Sequence, residues 1–237
     1  RKFGIVESRT KDIIQIGRQV WSEASPSTLS LTGALSICCG VQDAAGLEWA
    51  EELWSYATRE GLKLDMLAHS AFARVLATYK MHGRVQTLLV GLRYQKDVWE
   101  QHGFSHCVLL CSLVDVCGTQ QDWQQADSYW KLFVDEFGES PNNICYSALA
   151  KVHMLCGRPH VAAAKIDQMV ANNLALNSKI VSTQVQSLLI LYHSSLSQLD
   201  LHRLTDAARQ GKTHFRKVSQ WESETWQKLQ TMVELLK

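Results

Sequence analysis

Proline is scarce in this chain of 237 residues, and no long hydrophobic run is present. Only three prolines occur, Pro26, Pro141 and Pro159, and each stands where a helix is expected to begin. The most apolar stretch, Cys107–Cys117, is interrupted by Asp115 and falls short of the roughly 18 residues that a membrane-spanning helix needs. The sequence therefore predicts no membrane span.

An excess of charge of either sign is also lacking. The formal net charge is +1, and 46% hydrophobic with 20% charged residues is typical of a globular rather than a disordered chain. Proteins that depend on phosphate contacts usually carry a clear basic excess, so the total charge gives no support to nucleic-acid binding. Because the sequence begins at Arg1 without methionine, we expect a processed or truncated product whose targeting peptide has been removed.

Signatures of catalysis and metal binding are missing as well. The seven cysteines are odd in number and form no close pair of pairs of the zinc-binding kind, so we expect reduced, mostly buried thiols. An i, i+4 metal cluster is the alternative for His102, His106, Cys107 and Cys111. With no phosphate-cradling glycine loop, no HExxH and no deaminase motif, we predict a non-catalytic protein without metal, cofactor or small-molecule substrate.

Helical periodicity is what the sequence does contain. Apolar residues recur at intervals of three and four between Gly46 and Gly61, which indicates an amphipathic helix. These residues are Leu47, Ala50, Leu53, Trp54 and Ala57. Similar patterns predict further helices, including those over 9–24, 26–39, 66–82, 84–101, 104–117 and 214–237.

Glycine recurs at the expected end of the first helix in each of four helical pairs. The glycines are Gly40, Gly83, Gly118 and Gly157, with spacings of 43, 35 and 39 residues. A glycine adopts the left-handed conformation that ends a helix without a side-chain clash. Alanine recurs in the second helices, where close packing is expected, at Ala50, Ala126 and Ala162.

These recurrences predict an all-α fold, a right-handed α-solenoid of helix-turn-helix hairpins with about eleven or twelve helices. Residues 1–24 would form a partial first repeat and residues 27–177 the regular repeats. Residues 178–237 would form a divergent repeat and a C-terminal helix that caps it. The whole chain is expected to be a single domain.

The stretch from Asn142 to Asn177 is the best-kept repeat, and it resembles a pentatricopeptide repeat. The residues in register are Tyr146, Ser147, Leu149, Gly157, Arg158, Ala162 and Met169. Residues 61–65 and 140–142 resemble the family's repeat endings. The related tetratricopeptide repeat is the alternative for the weaker units.

The resemblance implies a way of reading RNA. In this family the residue after the first-helix aromatic and the last residue of the repeat together read one base. Here these are Ser147 and Asn177, a pairing that the family associates with adenine, and Ile144 would press an apolar side chain against the base. Ser30 and Asp65 would form a second reader pair.

The resemblance has two further features, which concern residues that could contact phosphate and a reader position that holds an apolar residue. Lys80 and Lys151 approach the position from which the family's lysine meets phosphate. When the register is anchored on Gly118, Val108 takes the reader position, where it cannot hydrogen-bond.

The resemblance thus implies a soluble, RNA-binding protein of an organelle, a mitochondrion or alternatively a plastid. Its partner would be single-stranded or ribosomal RNA, in a ribonucleoprotein such as a mitochondrial ribosome. The alternative is a scaffold subunit of a large organellar complex, ribosomal, respiratory or photosynthetic, that binds other protein subunits without reading RNA sequence. A basic patch near the C-terminus would meet phosphate or an acidic partner, and it comprises Arg203, Arg209, Lys212 and Arg216.

Overall fold

The computed structural model describes residues 2–23, 26–41, 43–99 and 105–176, together with 180, 183–184, 186–187 and 190. Every regular element within these residues is helical, which confirms the predicted all-α fold. The predicted helix over 214–237 and the basic patch between Arg203 and Arg216 lie outside the described residues. Two compact units, residues 1–116 and 117–237, divide the chain.

The first unit consists of consecutive helical hairpins. Its helices are α1 (Lys2–Glu23), α2 (Thr28–Val41), α3 (Ala44–Arg59), α4 (Met66–Thr78), α5 (His82–Arg93), the short α6 (Lys96–Trp99) and most of α7 (Ser105–Gln120). Helix α2 packs against α1, α3 and α4, and α4 packs in turn against α3 and α5. Thr28 at the start of α2 is hydrogen-bonded to Lys63 just before α4, and Tyr79 just after α4 is hydrogen-bonded to Cys38 near the end of α2. Helices α2 and α4 therefore run parallel.

The second unit continues the same alternation. Helix α8 (Trp123–Lys131) extends through a π-helical turn (Leu132–Glu136), and α9 (Asn143–Leu155) pairs with α10 (Pro159–Ala171). We call α2, α4, α7 and α9 the first helices of the hairpins. The helices that follow them, α3, α5, α8 and α10, are the second helices. The predicted close-packing alanines of the second helices, Ala50, Ala126 and Ala162, are fully buried.

Capping side chains, more than prolines, set where the helices begin. Asp65 Oδ1 accepts a hydrogen bond from the Ala68 amide at 2.8 Å, and Asn142 Oδ1 accepts from Ile144 at 3.0 Å. These oxygens satisfy backbone amides that have no partner within the helix. Of the prolines, only Pro159 occupies the first turn of a helix.

The prediction that four glycines end the first helices is right at Gly157 and wrong at the other three. Gly157 has φ +69°, whereas Gly40, Gly83 and Gly118 lie inside α2, α5 and α7. The left-handed residues that end α4, α7 and α9 are Lys80 (φ 58°), Gln121 (φ 55°) and Gly157.

The same pair of hydrogen bonds closes all three helix ends, which explains why residues other than glycine are tolerated. The left-handed residue donates to the carbonyl three residues back, and the next residue donates to the carbonyl five residues back. At α4 the bonds are Lys80 to Ala77 at 3.0 Å and Met81 to Leu76 at 2.8 Å. These bonds offset a conformational cost of about 1–2 kcal/mol for a side chain in this region.

The predicted long helix over 84–101 is broken at Tyr94. Helix α5 ends at Arg93, and α6 begins at Lys96 after a turn in which the Gln95 amide donates to the Leu92 carbonyl at 2.9 Å. The turn brings Trp99 into the core, where it is 3% exposed. Burial of this large ring accounts for the change of direction.

Gly17 lets α1 lie close against α3. A Cβ atom at this position would meet the Trp49 ring at 2.5 and 2.9 Å, and Trp49 is buried. We therefore expect Gly17→Ala to lower the free energy of unfolding by about 1–3 kcal/mol, as overpacked cores do. Gly91→Ala in α5, where a Cβ meets nothing within 4 Å, should raise it by about 0.5–1 kcal/mol. Urea denaturation of both variants checks this difference of sign, and a stabilising Gly17→Ala would contradict the packing.

Candidate nucleic-acid interface

One exposed aliphatic side chain recurs at the same position in all four first helices. The residues and their exposed fractions are Leu29 (83%), Leu67 (58%), Val108 (46%) and Ile144 (60%). Leu29, Leu67 and Ile144 each stand two residues after the residue that caps the helix. Leu67, Val108 and Ile144 each stand thirteen residues before the left-handed residue that ends the helix. We call these four residues the aliphatic row, by register rather than by any contact between them.

The exposure of the aliphatic row does not come from loose packing. Two residues further along, the side chains at the equivalent positions are buried: Leu31, His69, Leu110 and Tyr146. Single exposed apolar residues are ordinary on protein surfaces. A contiguous exposed apolar patch, by contrast, marks a binding surface, and one register position on neighbouring first helices within a unit is suited to form such a patch.

Within the first unit, the geometry of the hairpins places two members of the row on the same side. Helices α2 and α4 pack side by side and run parallel, so Leu29 and Leu67 lie at corresponding ends. Thr28 Oγ1 donates to the Lys63 carbonyl at 3.0 Å, which ties the start of α2 to the loop before α4.

The second unit repeats this tie between a helix start and the loop that follows its hairpin. Asn143 Nδ2 donates to the Ala175 carbonyl at 3.0 Å. Asn143 corresponds to Thr28 in register, one residue before Ile144 and Leu29 respectively. The same local construction therefore holds the backbone beside an exposed aliphatic side chain in both units.

The caps and left-handed ends of the helices align the repeats differently from the glycine positions that were used to predict the reader residues. Thr32, Ser70 and Cys111 correspond to Ser147, whereas Ser30 lies two positions earlier and Val108 corresponds to Ile144. Thr32, Ser70, Cys111 and Ser147 are all small and carry a hydroxyl or a thiol.

Ser147 and its counterparts are less accessible than the aliphatic row. Ser147 is 8% exposed and Ser70 is 5% exposed. Thr32 Oγ1 donates to the Thr28 carbonyl at 2.9 Å. Their small size leaves room beside the exposed aliphatic residue one turn earlier.

Two predicted reader residues have structural roles in helix starts. The Asp65 carboxylate caps α4, and the Ser30 hydroxyl accepts from the Ser27 amide at 2.9 Å in a reciprocal cap of α2. Asn177, the partner predicted for Ser147, lies outside the described residues.

The two lysines predicted to meet phosphate are both exposed. Lys80 ends α4 in the left-handed conformation, and Lys151 lies on the exposed side of α9. Arg74 is the exposed residue of α4 at the register of Lys151. Arg74 and Lys151 lie two turns after Leu67 and Ile144, whereas Lys80 lies at the opposite end of α4 from Leu67. The described first helices therefore offer a few cations near the aliphatic row, and no dense basic patch is found among their residues.

A buried polar cluster, which the sequence pattern did not indicate, secures the far end of α9. His153 is fully buried, and its Nε2 lies 3.0 Å from Asp127 Oδ1 of α8. The Arg158 guanidinium lies 3.7 Å from the same carboxylate and stacks 3.5 Å above the Trp123 ring. The cluster fixes α9 against α8 through groups on three separate segments, so no local motif could have revealed it.

The described residues contain neither a group of metal-binding side chains nor a helix that could span a membrane. No three His, Cys, Asp or Glu side chains lie together in a metal-binding group there. No described helix is both long and apolar enough to cross a membrane.

The cysteines are reduced, and the most buried of them are chemically protected. None of the seven forms a disulfide. Burial raises the pKa of Cys38 and of Cys117 to about 12, because a thiolate is disfavoured away from water.

We expect the thiols to react with Ellman's reagent at pH 8 in two groups. The four buried thiols, those of Cys38, Cys107, Cys117 and Cys145, should react more than about tenfold more slowly than the partly exposed thiols of Cys111 and Cys156. Urea should abolish the difference, and a single fast phase of all seven in native buffer would contradict the packing.

Comparison with known proteins gives a likeness of fold alone. No protein-family model matches the sequence, and no curated protein is similar to it at a significant level. A solved structure that resembles the chain is the crystal structure of the pentatricopeptide repeat protein PPR10 from maize, with 14% sequence identity and a TM-score of 0.49. The similarity covers 92% of this chain, which spans only 32% of the length of that protein. The helical-repeat architecture of the chain rests on its own hairpins and their packing.

Proposed function

We propose that the chain binds single-stranded RNA at the starts of its first helices. The observation that carries the proposal is the aliphatic row, one exposed aliphatic side chain at the same register position in each of four first helices. Every base has an apolar face, and packing against that face does not depend on sequence. Within a unit, a helical hairpin that presents one such side chain at the start of its first helix is suited to receive a base of an unpaired strand.

Hydrogen-bonding groups beside the row supply a basis for discrimination between bases. Ser147 carries a short hydroxyl side chain and lies one helical turn after Ile144. By the resemblance to pentatricopeptide repeats, Ser147 and Asn177 together would recognise adenine. An amide side chain offers both a donor and an acceptor to a base edge. We therefore assign a preference for adenine to the repeat that begins at Asn142.

The low net charge sets the expected salt dependence. Lys63, Arg74 and Lys151 are exposed cations within about two helical turns of the starts of first helices. Three phosphate contacts, each contributing about 0.7 to the slope, give a log–log salt slope of about −2. A strongly basic RNA-binding protein would show a steeper slope.

The test is fluorescence anisotropy with a labelled adenine-rich RNA of about ten nucleotides, measured over a salt series. The proposal predicts binding at low salt, a slope near −2, and much weaker binding of the same RNA when it is paired into a duplex. No binding at low salt, or equal binding of the duplex, would overturn it.

The resemblance to pentatricopeptide repeats also supports a role in an organelle, a mitochondrion or a plastid, within a ribonucleoprotein such as a mitochondrial ribosome. Fluorescence microscopy of the tagged protein, followed by sedimentation of organelle extracts with and without ribonuclease, tests this part. A ribonuclease-sensitive shift from heavy to light fractions is the expected result.

A protein-binding scaffold is the second candidate function, and one observation favours it. An apolar groove free of charged side chains lies between α1 and α2 in the first unit. Such a surface suits a protein partner rather than a phosphate backbone.

A further inference from the structure

The loops that follow the hairpins α2–α3 and α9–α10 are built in the same way. Each begins with a left-handed residue, Gly61 (φ 65°) or Asn173 (φ 57°), whose amide donates to the carbonyl three residues back at 3.2 and 2.9 Å. The next residue, Leu62 or Leu174, donates to the carbonyl five residues back at 2.9 and 3.2 Å. In both loops this leucine opens the sequence Leu-x-Leu.

The middle residue of Leu-x-Leu is tied to the first helix of the same hairpin. We call it the tied residue, and it is Lys63 in the first unit and Ala175 in the second. Its carbonyl accepts a hydrogen bond from Thr28 Oγ1 or from Asn143 Nδ2, each at 3.0 Å. The side chains of both tied residues are exposed, whereas the leucines on either side are half-buried.

Each tie places the tied residue beside a member of the aliphatic row. Thr28 and Asn143 are the first residues of α2 and α9, and the residues that follow them directly are Leu29 and Ile144. Each unit therefore has an exposed aliphatic side chain with a second exposed side chain next to it. In the first unit that second side chain is positively charged, and in the second unit it is a methyl group.

An exposed lysine in a loop is ordinary, and what distinguishes Lys63 is its fixed backbone. The amide of Leu62 before it and the carboxylate of Asp65 after it are both engaged in hydrogen bonds, in addition to the tie to Thr28. A backbone that is already ordered lowers the entropy that is lost when the side chain contacts a ligand.

On the basis of the proposed function, we infer that the tied residue decides whether the nucleotide on the neighbouring aliphatic side chain is also held by its phosphate. Thr28 and Asn143 are the positioning residues of this device. The Lys63 ammonium, on its flexible four-carbon stem, meets a phosphate of the nucleotide that packs on Leu29. Ala175 offers no charge, so the nucleotide on Ile144 is held through its base.

The two sites therefore differ in what they recognise. A phosphate contact is the same for every base, so the site at Leu29 tolerates any base and weakens as salt is added. The site at Ile144 depends on the base, and it has the Ser147 hydroxyl one helical turn away. Its contribution to binding changes little with salt.

An exchange of the two tied residues tests the inference in both directions, with the labelled adenine-rich RNA and the salt series. Ala175→Lys is expected to strengthen binding about eightfold at about 50 mM salt and to steepen the log–log salt slope by about 0.7. Lys63→Ala is expected to weaken binding by about the same factor and to make the slope shallower by about 0.7. Circular dichroism verifies that the variants are folded.

Matched controls make the same changes of charge away from the row. Ala164 is an exposed residue in the middle of α10, and Lys80 is exposed at the opposite end of α4 from Leu67. Because salt screens distant charges, Ala164→Lys and Lys80→Ala should each change the affinity by less than about twofold.

The positioning role of Thr28 has its own test. Thr28→Val removes the hydrogen-bond donor with little change of shape, and it should weaken RNA binding about threefold when Lys63 is present. In the Lys63→Ala background the same change should have almost no effect, whereas a merely structural role would lower the affinity equally in both. Thr28→Ser, which keeps the hydroxyl, should bind as the parent does.

The outcomes separate this inference from the proposed function. A parent protein that does not bind RNA would overturn both. If the parent binds RNA but Ala175→Lys and Lys63→Ala behave as their controls do, the role of the tied residue is wrong and RNA binding by the row stands. An equal effect of Thr28→Val with and without Lys63 would overturn the positioning role.

Discussion

Replacing Leu29, Leu67 and Ile144 together by serine is expected to lower the affinity for single-stranded RNA by about a hundredfold. Stacking of a base on an aromatic side chain contributes about 1–3 kcal/mol per base, and for the aliphatic side chains of the row we take the lower end of that range. Three losses of about 1 kcal/mol give a factor of about one hundred. All three side chains are more than half exposed, so the folded state should keep its stability.

The control for this variant comes from exposed aliphatic residues outside the row. Val90 of α5, Leu155 of α9 and Val170 of α10 are 43%, 54% and 41% exposed. Their triple replacement by serine removes a similar amount of apolar surface at other register positions. Equal loss of affinity in both triple variants would show that the row has no special part in binding.

A steep loss of stability between pH 9 and pH 11 is the second large effect that we expect. Burial raises the pKa of Cys38 and of Cys117 from 9.0 to about 12, and it also raises that of Tyr129. In the unfolded chain these thiols lose their protons near pH 9, whereas in the folded protein they keep them. Their stabilising effect is therefore complete below pH 9 and is lost as the pH rises towards 12.

The size of this effect follows from the pKa differences. Each unit of difference corresponds to about 1.4 kcal/mol, so two fully buried thiols together account for several kcal/mol. This is a large part of the stability of an ordinary domain. Urea denaturation followed by circular dichroism at pH 7, 9 and 10.5 measures the loss.

The double variant Cys38→Ala and Cys117→Ala is the control for the alkaline effect. It should be less stable than the parent at pH 7, because each change leaves a small cavity. Between pH 9 and 10.5 it should lose distinctly less stability than the parent. An equal loss in both proteins would mean that the thiols are not the groups responsible.

Much of the fold is predictable because a helix that packs on one face has apolar residues at regular short intervals in its sequence. The alternation of first and second helices follows from apolar residues at intervals of three and four. Ala50, Ala126 and Ala162 are buried where the sequence predicts close packing. What the sequence conceals is how each helix ends, because hydrogen bonds around Lys80 and Gln121 substitute for the glycine that a simple rule expects.

The wrong prediction of the helix ends also led to a wrong alignment of the candidate site residues between repeats. When Gly118 is taken as the end of α7, Val108 falls at the reader position, but the end lies at Gln121 and places Val108 in line with Ile144. The capping residues Ser27, Asp65 and Asn142 offered a better register, since each stands two residues before an aliphatic side chain. Burial could not be read from the sequence, because an aliphatic residue in a helix start is equally suited to a core.

The central claim is that RNA lies against the aliphatic row, and methyl NMR tests it most directly. The chain of 26.8 kDa is suitable for selective methyl labelling of isoleucine and leucine. Titration with a short adenine-rich RNA should shift the methyl signals of Leu29, Leu67 and Ile144 in proportion to saturation, while Leu155 at the other end of α9 stays unchanged. Shifts confined to residues outside the row, with Ile144 unmoved at saturating RNA, would contradict the account.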